Sequence, residues 1–213
     1  MEVSKVMRKL ALFGMLAGFT GVLCAQEVPR FAVVGGAGFT TPVGTTSSNL
    51  DTGWNIRGGA GVNFSQYLGA MLEAGYDSMG VGSSVLNSLG YGGGRLSVFS
   101  LTLNPIVHLV PKGPVDIYVT GGGGYYRQNQ DFTQPGVAIG TGFNPFFGFY
   151  QVPFATNVVV SSYSINKPGV DVGAGVAFGS KWGGKFFAEA RYNRIFTGNY
   201  HTDYIPVTFG FRR

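Results

Sequence analysis

Apolar and polar residues alternate with a period of two along much of the chain after Phe31. In the stretch 54–64 the even positions carry Trp, Ile, Gly, Ala, Val and Phe, whereas the odd positions carry Asn, Arg, Gly, Gly and Asn. Successive side chains of an extended strand point to opposite faces, so this pattern predicts strands with one apolar and one polar face. The sequence therefore predicts an all-β fold.

Glycine, proline and polar residues divide the alternating region into eight predicted antiparallel strands. Short turns at 65–67, 111–113 and 180–184 alternate with longer links at 41–52, 81–93, 129–166 and 197–203. Short turns at one end and long loops at the other are typical of an up-and-down transmembrane β-barrel. The predicted strands are Phe31 to Thr40, Gly53 to Phe64, Leu68 to Gly80, Gly94 to Val110, Pro114 to Gln128, Lys167 to Gly179, Lys185 to Phe196 and Tyr204 to Arg212.

Charged residues inside these strands fall on the polar face, while Arg95 and Arg127 have the apolar parity but lie at loop ends. A charge facing lipid at mid-depth costs about 2 to 4 kcal/mol, so a bilayer would impose this sorting. Eight strands leave an interior just wide enough for side chains, so we expect a plugged lumen filled by ion pairs. The predicted lumen polar network consists of Arg57, Glu73, Asp77, Asp116, Asp171, Glu189 and Arg191.

Aromatic residues gather near both ends of the predicted strands, as they do at the two interfaces of a membrane. Near the short turns these are Phe31, Phe64, Tyr67, Phe178, Trp182, Phe186, Phe209 and Phe211. Near the long loops they are Phe39, Trp54, Tyr76, Tyr125, Tyr126, Tyr192, Phe196 and Tyr204.

The N-terminus predicts a cleavable signal peptide over residues 1–25, with cleavage after Ala25. Its apolar run at 10–19 is shorter than the roughly 20 residues of a spanning helix. A lipid-modified Cys24 is the alternative, and the bulky residue before it disfavours that reading. We expect residues 26–213 to form one barrel domain in the bacterial outer membrane. The basic residues that open the leader are Lys5, Arg8 and Lys9.

Charge and cysteine content exclude other classes. Removal of the leader lowers the formal charge from +5 to +3, without the clustered basic face that nucleic acid requires. Cys24 is the only cysteine, which excludes a disulfide framework. The glycine clusters at 92–94 and 121–124 lack the Gly-Lys-Ser/Thr ending of a phosphate loop. We expect no cofactor and no metal.

These features resemble those of the OmpA-like and OmpX-like family of small outer-membrane barrels. The resemblance implies a polar network in the lumen, surroundings of outer-membrane lipid and lipopolysaccharide, and a last strand that the barrel-assembly machinery reads during insertion. In this chain the aromatic residues of that insertion signal are Tyr204, Phe209 and Phe211, and the chain departs from the pattern by ending in Arg212-Arg213.

Some barrels that resemble this one modify lipids, so catalysis needs separate consideration. The chain has two histidines. His108 has the lumen parity, for which a structural hydrogen bond is the simpler role. His201 precedes Thr202 and Asp203 in the last loop, but acyl hydrolysis needs a nucleophile, a base and an acid that converge. We therefore expect a structural or surface-interaction barrel without catalysis; a lipid A acyl hydrolase or transferase and a small porin are the alternatives.

The link at 129–166 is unusually rich in aromatic rings. If these rings are exposed, they form a patch for an extracellular or cell-envelope partner. If instead 158–165 extends the sixth strand, the rings can pack on that hairpin and on neighbouring loops, and we favour this second interpretation. The candidate patch consists of Phe143, Phe146, Phe147, Phe149, Tyr150 and Phe154.

Overall fold

The computed structural model is a closed barrel of eight antiparallel strands, in which each strand pairs with its neighbours in the chain and the last strand pairs with the first. The described residues are 30–111, 115–179, 184–198 and 200–213, so the predicted signal peptide at 1–25 lies outside them. The prediction of an all-β, up-and-down barrel is confirmed. The strands are β1 (Phe31–Pro42), β2 (Gly53–Asn63), β3 (Leu68–Gly80), β4 (Gly93–His108), β5 (Val115–Asn144), β6 (Gly148–Gly179), β7 (Lys185–Phe196) and β8 (His201–Arg212).

Two strands are much longer than the sequence predicted. β5 and β6 continue as a paired hairpin to Asn144 and from Gly148, so the prediction of a long loop at 129–166 is wrong. The favoured interpretation that 158–165 extends the sixth strand is confirmed. The long hairpin, defined here as residues 129–166, turns at 145–147. β4 pairs with β5 as far as Thr133, and β7 pairs with β6 only from Gly169 onward. The outer part of the hairpin is therefore a two-stranded ribbon.

The other loops at the hairpin end fold over the mouth of the barrel. The first contains a short 3-10 turn (Gly44–Thr46), and the second contains helix α1 (Ser83–Leu89). An isolated bridge joins them at Leu50 and Val81. No helix among the described residues is long and apolar enough to cross a bilayer.

The glycines explain how large side chains fit inside so narrow a barrel. A Cβ on Gly59 would lie 2.7 Å from Cγ of Glu73, and one on Gly169 would lie 2.8 Å from the ring of Tyr126. The same holds for Gly210, where a Cβ would lie 2.7 Å from the Phe187 ring. Large lumen side chains thus lie over glycines of a neighbouring strand, and alternation of large and small residues is how small barrels fill their interior.

The outer surface of the barrel is apolar and exposed, with Leu72, Leu101, Leu103 and Ile117 among its residues. Most of the predicted aromatic belts point outward, and Trp54 and Tyr76 contact each other there with ring centroids 5.4 Å apart. Two members were assigned wrongly: Tyr126 and Tyr204 face the lumen and are buried, because they lie on the inward parity of β5 and β8. Trp182 lies outside the described residues.

Candidate functional site in the lumen and the long hairpin

Arg191 lies at the centre of the lumen and holds three carboxylates. Its Nη1 is 2.6 Å from Oε2 of Glu73 and 3.5 Å from Oδ1 of Asp171, and its Nε donates to Glu189. A guanidinium presents five donors in a planar fork, which suits several carboxylates at once. All four side chains are buried. We call this set the Arg191 cluster.

Neutral partners complete the Arg191 cluster. Asn104 Nδ2 donates to Oε2 of Glu73 at 2.7 Å, and the hydroxyl of Tyr126 is 3.4 Å from Oδ2 of Asp171. Arg57 is half-buried and close enough to Glu73 and Asp171 to interact with them electrostatically. Further hydrogen bonds to buried charges are needed because Coulombic attraction alone does not repay their desolvation.

Asp77 and Asp116 lie apart from the Arg191 cluster. Thr40 donates to Asp77 at 2.6 Å, and Asn55 links Thr40 to the rest of the polar lining on that side. Asp116 lies at the short-turn end, 2.8 Å from Nδ1 of His108 and 3.0 Å from Nζ of Lys185. The predicted lumen residues therefore do not form a single ion cluster: Asp116 has its own partners at the short-turn end. Asp77 is connected with the Arg191 cluster through Arg57, which interacts electrostatically with both.

Two clusters of buried, mainly apolar residues lie in the lumen, one on either side of the charges. The mouth cluster, on the hairpin side, joins loop residues to the inward faces of the strands. The base cluster, on the short-turn side, is extended by Arg212, whose guanidinium lies 4.3 Å from the centre of the Tyr118 ring. The mouth cluster is Leu50, Met79, Val81, Leu96, Val98, Tyr126, Ile195 and Tyr204, and the base cluster is Ala32, Val34, Met71, Ile106, Tyr118, Ala177 and Phe187.

His201 is not built into a catalytic arrangement. Its Nε2 is 3.6 Å from Oδ2 of Asp203, too long for a hydrogen bond. Both carboxylate oxygens of Asp203 instead accept from Arg194, at 2.9 and 3.0 Å. Arg194 lies two residues after the outward-facing Tyr192 in β7 and also donates to its hydroxyl. Arg194 has the outward parity, which the sequence analysis overlooked.

The aromatic patch of the long hairpin is exposed. The exposed fractions are 91% for Phe146, 85% for Phe147, 78% for Phe149 and 64% for Phe143. Tyr150 and Phe154 lie on the face of the ribbon where their rings cover Gly142 and Gly140 of β5. The interpretation in which all the rings pack on the hairpin and neighbouring loops is wrong, because the four phenylalanines at and beside the turn stay largely exposed. Of these rings, only Tyr150 and Phe154 cover glycines of the facing strand.

The residues of the predicted insertion signal point in two directions. Phe209 and Phe211 face outward from β8, and the Phe211 ring packs edge-on against Phe186 at 5.3 Å. Tyr204 faces inward and is buried in the mouth cluster. A factor that approaches the outer surface of the last strand can therefore reach Phe209 and Phe211 but not Tyr204.

A family model and several solved structures are similar to this chain. A family model described as the outer membrane protein beta-barrel domain matches residues 10–212. Neisserial surface protein A (NspA) is similar in structure, with a TM-score of 0.55, 14% identity, and coverage of 88% of this chain and 98% of that one. Ail of Yersinia pestis gives a TM-score of 0.42, 16% identity, and coverage of 86% and 97%. No curated protein matches at a significant level. At these identities the structural likeness shows the fold alone.

Proposed function

Because the chain belongs to the outer membrane protein beta-barrel domain family, we propose that it is a closed, non-catalytic barrel of the bacterial outer membrane that acts through its long hairpin. Outer-membrane lipid and lipopolysaccharide form its surroundings. The observation that supports this function best is the set of buried side chains inside the barrel. The mouth cluster, the Arg191 cluster and the base cluster all lie in the lumen, and a lumen filled in this way would leave water no continuous path.

The environment of His201 supports the proposal that the barrel is not catalytic. A general base needs an acid that orients it, and Asp203 is engaged by Arg194 instead. The other histidine, His108, is bound to Asp116 inside the barrel at the short-turn end, away from the hairpin side. A lipid A hydrolase or transferase with its active site on the hairpin side would therefore have to use His201, whose neighbouring carboxylate is engaged by Arg194.

Insertion is proposed to depend on the outward aromatic residues of the last strand. Phe209 and Phe211 lie on the face that a protein of the assembly machinery would meet. The long hairpin, at the opposite end of the barrel from the short turns, supplies the proposed surface for an extracellular or envelope partner. Phe146 and Phe147 have the highest exposed fractions of the large hydrophobic side chains that the structure describes, as expected of an interaction patch.

The filled lumen predicts an electrically silent protein. The purified barrel, incorporated into planar bilayers, should give no steady channel, because three layers of side chains block the interior. As a positive control, Tyr118, Tyr126 and Tyr204, all buried in the lumen, are replaced together by alanine. This variant should conduct, provided that heat-modifiable migration on a gel shows that it is folded. Steady channels from the wild-type protein would contradict the proposal.

A further inference from the structure

The tip of the long hairpin is a convex apolar surface. The Phe146 and Phe147 rings project from the turn, almost entirely exposed. Beneath them the rings of Phe143 and Phe149 contact each other at 5.1 Å and form a base for the turn. Transfer of side chains of this size from water to an apolar environment is strongly favourable, so we expect the tip to bind an apolar surface.

The whole outer hairpin is uncharged. From Phe132 to Asn166 the sequence contains no Asp, Glu, Lys, Arg or His. A polyanionic partner, such as a phosphorylated or sulfated polysaccharide, would require basic residues that this segment lacks. An uncharged segment instead suits a surface without net charge, such as a zwitterionic phospholipid bilayer.

The backbone of the turn suits an environment that is poor in water. Asn144 pairs with Gly148, so the strand ladder reaches the turn itself. The side chain of Asn144 accepts the N–H of Phe146 at 2.8 Å, and Pro145 has no N–H to satisfy. Backbone groups that enter a membrane must find partners within the protein, and this turn meets much of that requirement.

The ribbon extends well beyond the strands that close the barrel. From Thr133, where β4 stops pairing, twelve residues of β5 reach Asn144, which corresponds to about 40 Å of strand. The start of this ribbon is braced: the Gly92 N–H donates to the Thr133 carbonyl at 3.0 Å, and Tyr91 stacks on Phe132 at 4.7 Å. A ribbon of this length, held at its start, can carry the tip to an apposed bilayer.

We propose that Phe146 and Phe147 insert into the interfacial region of an apposed, zwitterionic phospholipid bilayer. The inference rests on the proposed surface role of the hairpin and names its partner class. A convex tip fits a fluid bilayer, which adapts to its shape, better than a protein surface, which would need a matching pocket. Amphipathic segments enter the headgroup boundary to a depth of about 5 to 10 Å, and two rings at a turn match this depth.

Vesicle flotation tests the proposal. The barrel is held in nanodiscs and mixed with phosphatidylcholine vesicles, with which the wild-type protein should float. The double variant Phe146→Ser/Phe147→Ser should lower the bound fraction by about tenfold or more, because it removes the two most exposed rings. The matched control Val137→Ser/Val159→Ser removes two exposed apolar side chains from the shaft and should bind like the wild type.

Insertion has its own readout. Phe147→Cys in a Cys24→Ser background carries a nitrobenzoxadiazole label, whose emission should shift to the blue with vesicles and be quenched by lipids that carry a spin label near the headgroup. The proposal would be overturned by an emission spectrum that does not change with vesicles, or by an equal loss of vesicle binding in both double variants. Binding that requires anionic lipid and disappears at high salt would overturn it as well. Channel conductance by the same nanodisc preparation after transfer to planar bilayers would instead contradict the closed barrel, so the two failures are distinguishable.

Discussion

Replacement of Arg191 by methionine should lower the free energy of unfolding by about 3 to 5 kcal/mol. Arg191 is buried and contacts Glu73, Asp171 and Glu189, so the variant leaves three carboxylates close together without their shared cation. Unpaired buried charge is far more costly than loss of the pair as a whole. Urea titration of the barrel in lipid vesicles, followed by tryptophan fluorescence, measures the change.

The matched control removes charge of both signs from the Arg191 cluster. The triple variant Glu73→Gln/Glu189→Gln/Arg191→Met should recover most of the lost stability, because it removes two carboxylates together with their cation and leaves Asp171 the electrostatic interaction with Arg57. Replacement of buried ion pairs by neutral residues is often close to neutral. If Arg191→Met unfolds at the same urea concentration as the wild type, or if the triple variant is less stable still, the cluster does not have the energetic role assigned to it.

Arginine at the middle of the outer surface should be almost as damaging. Leu103 faces outward from β4, opposite the exposed Leu72 of β3. Leu103→Arg should cost about 2 to 4 kcal/mol in the same titration, because the new charge faces hydrocarbon at mid-depth. A water-exposed site would tolerate this change, with an effect usually within about 0.5 kcal/mol.

Leu109 supplies the matched control for the Leu103 variant. It has the same outward parity one residue after β4 ends, and it is also exposed. Leu109→Arg should cost only about 0 to 1 kcal/mol, because the arginine can reach the interface. Equal effects at Leu103 and Leu109 would show that depth does not matter and would contradict a bilayer as the surrounding medium.

The barrel was predictable from the sequence because a period of two needs no knowledge of distant partners. β3 and β7 begin and end where the alternation predicted. Parity also decides direction, which is why the assignment of Tyr126 and Tyr204 to the outer belts was avoidable. Tyr125 and Tyr126 are adjacent in a strand, so they cannot both face the membrane, and the burial of Tyr204 follows from the outward Phe209 and Phe211.

Only the part of the long hairpin at 158–165 was predicted, because glycine and proline elsewhere in the segment usually indicate loops. Pro135 and Pro153 lie in ribbon strands that pair on one side only, so their lack of an N–H is tolerated at an open edge. The glycines Gly140 and Gly142 lie under the rings of Phe154 and Tyr150. Neither feature is visible until the two strands are placed side by side.

The depth of each inward-facing side chain within the lumen could not be predicted from the sequence. Alternation predicts that Asp77, Asp116 and Asp171 point inward, but which of them meet depends on the stagger between distant strands. The structure places Asp171 with Arg191 and Asp116 with Lys185. Lys185 begins β7 next to a predicted turn, so its role as the partner of Asp116 had no signal in the local pattern.

The central claim is that lipid, rather than another protein layer, solvates the apolar outer surface. The most direct measurement is the state of residues 26–213 in plain buffer, followed by light scattering after gel filtration and by circular dichroism. We expect aggregation or loss of fold without detergent, and recovery of a β-rich, heat-modifiable form when phosphatidylcholine vesicles are added. A stably folded, monodisperse monomer in buffer alone would contradict the account.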